Sequence, residues 1–242
     1  LHSLFMEWEN GAGSKLAEAA KASEAFSFSR ASKVVATTKA MAETISHNYP
    51  QAADCRVIPN YVETEIFKPA QAGDSGPVVV SVGSMRQQKN FASLVKAMPG
   101  LGAELIIAGG GELAGEIKSL AEELKVKASF PGVVEHTALP GLLASNRIFA
   151  LPSLYEGHPK ALIEAMSCGM PIVAADVPGN RDVIKDGETG ILCGTDPESI
   201  RAAIKCLLDD RELALRLGKA ARRHAEENFS RERGAGLELE LY

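Results

Sequence analysis

The stretch PSLYEGHPKALIEAMSCGMPIVAADVPG, residues 152–179, decides how the rest of the chain is read. The apolar run IFALPS at 148–153 ends where it begins, and PIVAAD at 171–176 forms a second run near its close. Between them, helical periodicity covers 159–168, with Pro159 suited to the first helical position, where its missing N–H costs nothing. Cys168 and Gly169 should close that helix before Pro171 prevents its extension. The unit is strand, helix, strand. Both strands are continuous apolar runs, so each is covered on two faces, as in a parallel sheet shielded by its crossover helices.

The same alternation extends outward. Further strands are predicted at 33–37, 55–59, 77–82, 103–109, 128–132 and 190–193, with helices near 38–47, 90–98, 112–124, 139–145, 180–185, 197–210 and 211–229. Residues 76–194 therefore read as one doubly wound, Rossmann-like α/β domain. At roughly 150 residues per domain, 242 residues fall between one domain and two. The expected division is a carboxyl-terminal remnant of a preceding α/β domain at 1–58, a Pro- and Gly-bearing connector at 59–76, the complete domain at 77–210, and closing helices at 211–242 that could cross back to the first domain. The terminal GLELELY alternates with period two after a helical pattern and fits either strand or helix.

Composition narrows the class. The chain is 45% hydrophobic and 24% charged, a soluble globular balance, and 26 Lys and Arg against 31 Asp and Glu give a net charge of −5. That excludes a dedicated nucleic-acid binder, whose footprint is a basic stripe. No run reaches the roughly 20 apolar residues of a membrane span, and LHSLFMEWEN at 1–10 lacks the basic-then-apolar order of a signal peptide, so the cytoplasm is the expected compartment. Cys55, Cys168, Cys193 and Cys206 show no metal-ligand spacing and read as small hydrophobes in a reducing environment. A start on Leu1 fits a fragment or a processed product.

Three loops could carry chemistry. The first lies at the carboxyl end of the 148–153 strand and at the amino end of the next helix, where an open α/β sheet binds ligands and free N–H groups favour anions. Glu156 and Glu164 flank this point, and a carboxylate can accept both hydroxyls of a vicinal diol. Lys160 in the first turn opposes the helix dipole, a conflict that a bound phosphate would remove. Each charge taken singly is a solvated surface group; with the Gly-x-Pro turn of Gly157, His158 and Pro159 between them, they read as a site. The second loop, VVVSVGSMRQQKN at 78–90, runs from a buried strand into Gly83, with Arg86 and Lys89 as cations for a diphosphate. It lacks the P-loop spacing, and the plain alternative is a surface βα loop. The third, IIAGGGEL at 106–113, fits the dinucleotide fingerprint weakly because Ala114 ends it and no acidic strand end follows. A tight structural turn is the simpler reading. His47, His136 and His224 have no partner in the sequence, and Arg216, Lys219, Arg222 and Arg223 form a basic patch assigned to a helix C-terminus.

With these residues assembled, the chain from Ala31 to Tyr242 resembles the donor-binding half of a retaining GT-B glycosyltransferase of family 4, the glycosyl transferases group 1. The closest likeness is EGHPKALIEAMSCGMP, in which Glu156 and Glu164 match the E-x7-E pattern. The resemblance implies that Glu164 binds the ribose hydroxyls of a UDP- or GDP-sugar and that Glu156 faces the donor sugar as a catalytic group. It places Gly157, His158, Pro159 and Lys160 by the sugar and phosphates, and Gly132, Val133 and Val134 at the nucleobase. Gly83, Ser84 and Gly110 fall in the donor-binding loops. Family members commonly read G-R-L after the first strand of this domain, with a lysine downstream. Lys89 matches that lysine, but Ser84 stands where the arginine is expected. Either Arg86 supplies the charge from two residues later, or the clamp is weaker. No D-x-D pair occurs, so neither metal nor cofactor is expected, and the cations would stabilise the departing diphosphate.

The implied reaction moves a sugar to a saccharide or lipid-linked acceptor with retention. The acceptor site, and any peripheral contact with the inner face of a membrane, would belong to an amino-terminal domain absent from this chain, which as a fragment is expected to be inactive. Two other classes stay open: a non-catalytic nucleotide-sugar-binding half, and a nicotinamide-dependent oxidoreductase using the Gly109, Gly110, Gly111 turn.

Overall fold

The computed structural model describes residues 15–52, 54–70, 76–144 and 148–241, so the signal-peptide reading of residues 1–10 lies outside the described residues. The chain divides into two compact units, Tyr61–Arg233 in one, and the residues before it together with those from Gly234 onward in the other.

In the smaller unit, α1 (Lys15–Arg30) leads to β1 (Val34–Ala36), α2 (Lys39–Asn48) and β2 (Cys55–Val57). The two strands pair in parallel, Val34 opposite Cys55. Thr38 starts α2 by accepting a hydrogen bond from the Met41 N–H, the arrangement a Thr cap offers to an orphan donor. Phe28, Ala36, Ala42, Ile45, Tyr49 and Ala52 form the core. Buried among them, the Tyr49 hydroxyl donates to Glu24 Oε2 at 2.8 Å. Burial and then the Glu24 carboxylate push that phenol up to about 12.

The larger unit carries β3 (Val78–Val82), α3 (Phe91–Ala97), β4 (Glu104–Ala108), α4 (Ala114–Glu123), β5 (Ala128–Gly132), α5 (Leu139–Ala144), β6 (Ile148–Leu151), α6 (Lys160–Ser167), β7 (Ile172–Ala175), α7 (Pro178–Arg181), β8 (Ile191–Cys193), α8 (Pro197–Asp209) and α9 (Arg211–Phe229). A last helix, α10 (Arg231–Leu239), takes in the first four residues of the ambiguous terminal pattern, up to Leu239. Six parallel strands form one sheet in the order β5-β4-β3-β6-β7-β8. The predicted strands all form; the helix expected at 180–185 is a single turn placed slightly earlier.

The continuous apolar strands serve two cores. Val80, Phe149, Leu151, Ile172 and Ala174 pack with residues of α5, α6 and α9. Their neighbours Val79, Ile148, Ala150 and Val173 point the other way, onto α3, α4 and α8. Ser81, fully buried in β3, is satisfied by donating to the Ala150 carbonyl at 2.6 Å.

Two segments are more firmly built in than the sequence suggested. Val62 and Phe67, from the stretch read as a connector, are buried in the core of the larger unit, and the Val62 N–H donates to the Phe229 carbonyl at 2.8 Å. The basic patch at 216–223 also lies in the middle of α9 rather than at its C-terminus. Arg222 turns inward: Nη1 donates to the carbonyls of Thr64 (2.9 Å), Phe67 (2.6 Å) and Ser167 (2.6 Å). It therefore satisfies the end of α6 and the 64–67 turn with one guanidinium. A methyl at Gly218 would stand 2.3 Å from the Gly169 carbonyl oxygen, so only glycine lets α9 approach the end of α6 this closely.

Candidate functional site

The strand order reverses between β3 and β6, which lie side by side though separated by two other strands in sequence. At such a switch point the loops leaving the carboxyl ends of the two strands diverge and leave a crevice. The loops are 83–90 after β3 and 152–159 after β6.

Hydrogen bonds hold these loops against each other. The Leu154 N–H donates to the Gln88 carbonyl at 2.8 Å, and Gln88 Nε2 donates to the Tyr155 carbonyl at 2.9 Å. Asn90 adopts the left-handed conformation (φ 53°), one that Asn tolerates, and its Nδ2 donates to the carbonyls of Pro152 (3.0 Å) and Thr195 (2.8 Å). Between these contacts Lys89 Nζ lies 2.5 Å from Glu156 Oε1, with side chains 18% and 7% exposed. The structure thus joins two residues that the sequence placed in different loops. Arg86 is exposed beside them and, among the described residues, makes no ion pair; Ser84 is exposed as well.

The Glu156 loop rests on a residue the sequence reading left unassigned. A Cβ on Gly179, in α7, would stand 2.3 Å from the Glu156 carbonyl oxygen and 2.4 Å from that of Gly157. Nothing local in the Val-Pro-Gly at 177–179 marks which backbone it will meet.

Pro159 is the N-cap of α6, one position before the first helical place expected of it, and Lys160 opens the helix. Proline has no side-chain acceptor for the leading N–H groups, which remain available to an anion. At the other end, Gly169 (φ 71°) donates to the Met166 carbonyl and Met170 to that of Ala165, the paired bonds of a Schellman cap. His158 packs edge-on against Phe229, ring centroids 5.4 Å apart, and burial lowers its imidazole to about 4, so it is neutral near pH 7.

Glu164 points from the second turn of α6 and is 4% exposed. Burial pushes its carboxyl up, while a hydrogen bond with His136 and the charge of Lys160 act against that. His136 Nε2 lies 3.1 Å from Glu164 Oε1, although its own side chain is 59% exposed. Its ring also meets Phe67 at 5.3 Å. His136 was unpartnered on the sequence because its partner lies across two elements.

The glycine run after β4 is consumed within the protein. A Cβ on Gly109 (φ 142°) would stand 1.9 Å from the Gly83 oxygen, and one on Gly111 (φ 155°) 2.6 Å from the Met85 oxygen. Gly110 accepts from the Met85 N–H at 2.8 Å. Two loops therefore pack backbone to backbone, and the tight structural turn accounts for these glycines. At the end of β5, Gly132 accepts from the Gly109 N–H at 2.7 Å; beyond it Val133 is 80% exposed, and Val134 packs partly against the core.

A family model for glycosyl transferases group 1 matches residues 62–224, more than half of the chain and all of the loops just described. The chain belongs to this family of glycosyl transferases. It is 28% identical to the alpha-maltose-1-phosphate synthase of Mycolicibacterium smegmatis over 88% of this chain and 63% of that protein. It is also 27% identical to a glycogen synthase of Mycobacterium tuberculosis over 97% of this chain and 59% of that one. The chain thus spans less than two-thirds of the curated relatives it matches. Among solved structures, sucrose-phosphate synthase from Thermosynechococcus elongatus is similar with a TM-score of 0.88 and 26% identity, over 100% of this chain and 65% of that one. Anabaena HepE in complex with UDP-glucose gives 0.86 and 18%, over 100% and 70%. The larger unit thus has the GT-B α/β architecture.

Proposed function

We propose that this chain carries the donor site of a retaining glycosyltransferase that moves a sugar from a UDP- or GDP-sugar to a saccharide or lipid-linked acceptor. The observation that carries the reading is the Lys89–Glu156 pair at 2.5 Å, at the reversal of strand order and beside the uncapped start of α6. This arrangement offers a cation and free N–H groups to a diphosphate, and a carboxylate to the adjoining sugar. Glu164, farther along the same helix, is a buried acceptor for a ribose diol. Gly132, Val133 and Val134 border the place for a nucleobase.

As the glycosidic C–O bond to the diphosphate lengthens, negative charge grows on the leaving oxygen, and Lys89, Arg86 and the α6 amides stabilise it there. The sugar carbon becomes cationic, Glu156 stabilises it, and the acceptor oxygen bonds to the face the diphosphate leaves while its proton passes to the departing phosphate oxygen. No metal or cofactor is assigned a part. UDP is the first probe to use, a choice supported by the UDP-glucose bound to the structurally similar HepE.

Titration calorimetry of the chain with UDP and GDP tests the reading. One nucleotide should bind, and Glu164→Ala should weaken it at least tenfold. No binding of either, or affinity unaltered by Glu164→Ala, overturns the proposal.

A further inference from the structure

We infer that His136 is a positioning residue for the donor, holding the Glu164 carboxylate in the orientation and charge state in which it accepts the donor's hydroxyls. The inference rests on Glu164 being a donor ligand and adds a residue from a different loop to that site.

Glu164 is almost completely buried, and an ionised carboxylate there must be compensated by donors. His136 supplies one: its Nε2 meets Oε1 at 3.1 Å, which fixes the carboxylate while Oε2 and the remaining lone pair of Oε1 stay open to hydroxyls. The imidazole is itself placed by the Phe67 ring at 5.3 Å, and Phe67 is buried and held through its carbonyl by Ser167 Oγ and Arg222. The contact therefore has a rigid side, although His136 rides on an exposed loop.

Electrically, Glu164 responds to burial, to His136 from the 133–138 loop, and to Lys160 one turn earlier on its own helix. The Cys168 thiol, in turn, responds to both Glu164 and Arg222 of α9. His136 is thus the group from a neighbouring element that opposes protonation of Glu164. Without it, burial prevails at a higher pH, and a protonated carboxyl is a poorer acceptor for a diol.

The test is UDP affinity of the full chain from pH 5.5 to 8.5, or GDP affinity if that is the nucleotide bound, for wild type, His136→Ala, His136→Gln and Glu164→Gln. The ratio of wild-type to variant affinity at each pH cancels the titration of the nucleotide. His136→Ala should weaken binding about tenfold at pH 7.5, in line with one hydrogen bond to a charged group. The ratio should grow as pH falls, because the Glu164 carboxyl protonates earlier in the variant. His136→Gln, which keeps a neutral donor, should recover most of the loss. A ratio near one throughout, or a loss that is independent of pH and not rescued by Gln, overturns the role of His136. Unaltered affinity in Glu164→Gln would instead count against the donor reading, so the two failures are distinguishable. Circular dichroism of each variant identifies any loss caused by misfolding, and the exposure of His136 makes the substitutions tolerable.

Discussion

Replacing Gly179 with Ala puts the site geometry to a strict test, because the added methyl meets backbone and not a movable side chain. It would stand 2.3 Å from the Glu156 carbonyl oxygen and 2.4 Å from that of Gly157, whereas real Cβ contacts essentially never fall below 3.0 Å. One side must therefore retreat by at least about 0.7 Å. Overpacking of this kind costs about 1–3 kcal/mol, and in a domain of this size each kcal/mol lowers Tm by about 2–4 °C. The retreating element would be the loop that carries Glu156 toward Lys89. A displacement approaching 1 Å in a reacting group can reduce turnover about a hundredfold. Urea unfolding should report the modest stability loss, and transfer to an acceptor, assayed with an amino-terminal acceptor domain joined to the chain, the larger catalytic one. Gly115→Ala is the control. No atom lies within 4 Å of its Cβ, and it sits inside α4, so it should stabilise by about 0.5–1 kcal/mol and leave the site unaltered. Gly179→Ala with wild-type stability and turnover would refute the claim that α7 fixes the Glu156 loop.

Lys89→Ala should lower turnover about tenfold to a few hundredfold, if the lysine contributes about 1.5–3 kcal/mol to the departing diphosphate. It should also cost about 3 kcal/mol of stability by stranding Glu156, and Lys89→Ala with Glu156→Ala should recover part of that in urea unfolding. His158 gives a pH dependence. Its folded value of about 4 lies below the ordinary 6.5, so between these values the unfolded chain binds more protons and stability falls with pH. The loss should be about 2 kcal/mol from pH 7.5 to 5; His158→Gln should remove it, and an unchanged slope in urea midpoints would exclude His158 as the source. Arg222→Ala should destabilise by about 2–4 kcal/mol, because it removes the side-chain donor to the Thr64 and Ser167 carbonyls and one of the two donors to that of Phe67. Arg222→Lys should restore only part, since an ammonium lacks the guanidinium fork, and full recovery in urea unfolding would refute that account.

Much of this architecture is local in origin and was legible for that reason. Continuous apolar runs at 78–82, 148–151 and 172–175 require strands covered on both faces, and the Cys168-Gly169 pair followed by Pro171 can only end a helix. The E-x7-E spacing likewise puts Glu156 before α6 and Glu164 inside it, because a helix converts sequence interval directly into position. The same locality explains the misplacements. Proline suits the cap as well as the first turn, and Pro159 takes the cap; the polar connector hid Val62 and Phe67, whose burial depends in part on α9, more than a hundred residues away in sequence.

The sequence by itself determined the succession of parallel-sheet units, the helix that starts at the candidate site, and the two glutamates, one before that helix and one inside it. Only the tertiary structure decided that Lys89 meets Glu156, that His136 meets Glu164, and that Gly179 supports the loop between them. Periodicity and capping act over one or two turns of chain, but strand order does not. Placing β6 beside β3 joins loops 67 residues apart, and that pairing is fixed by how whole βα units bury their apolar faces together.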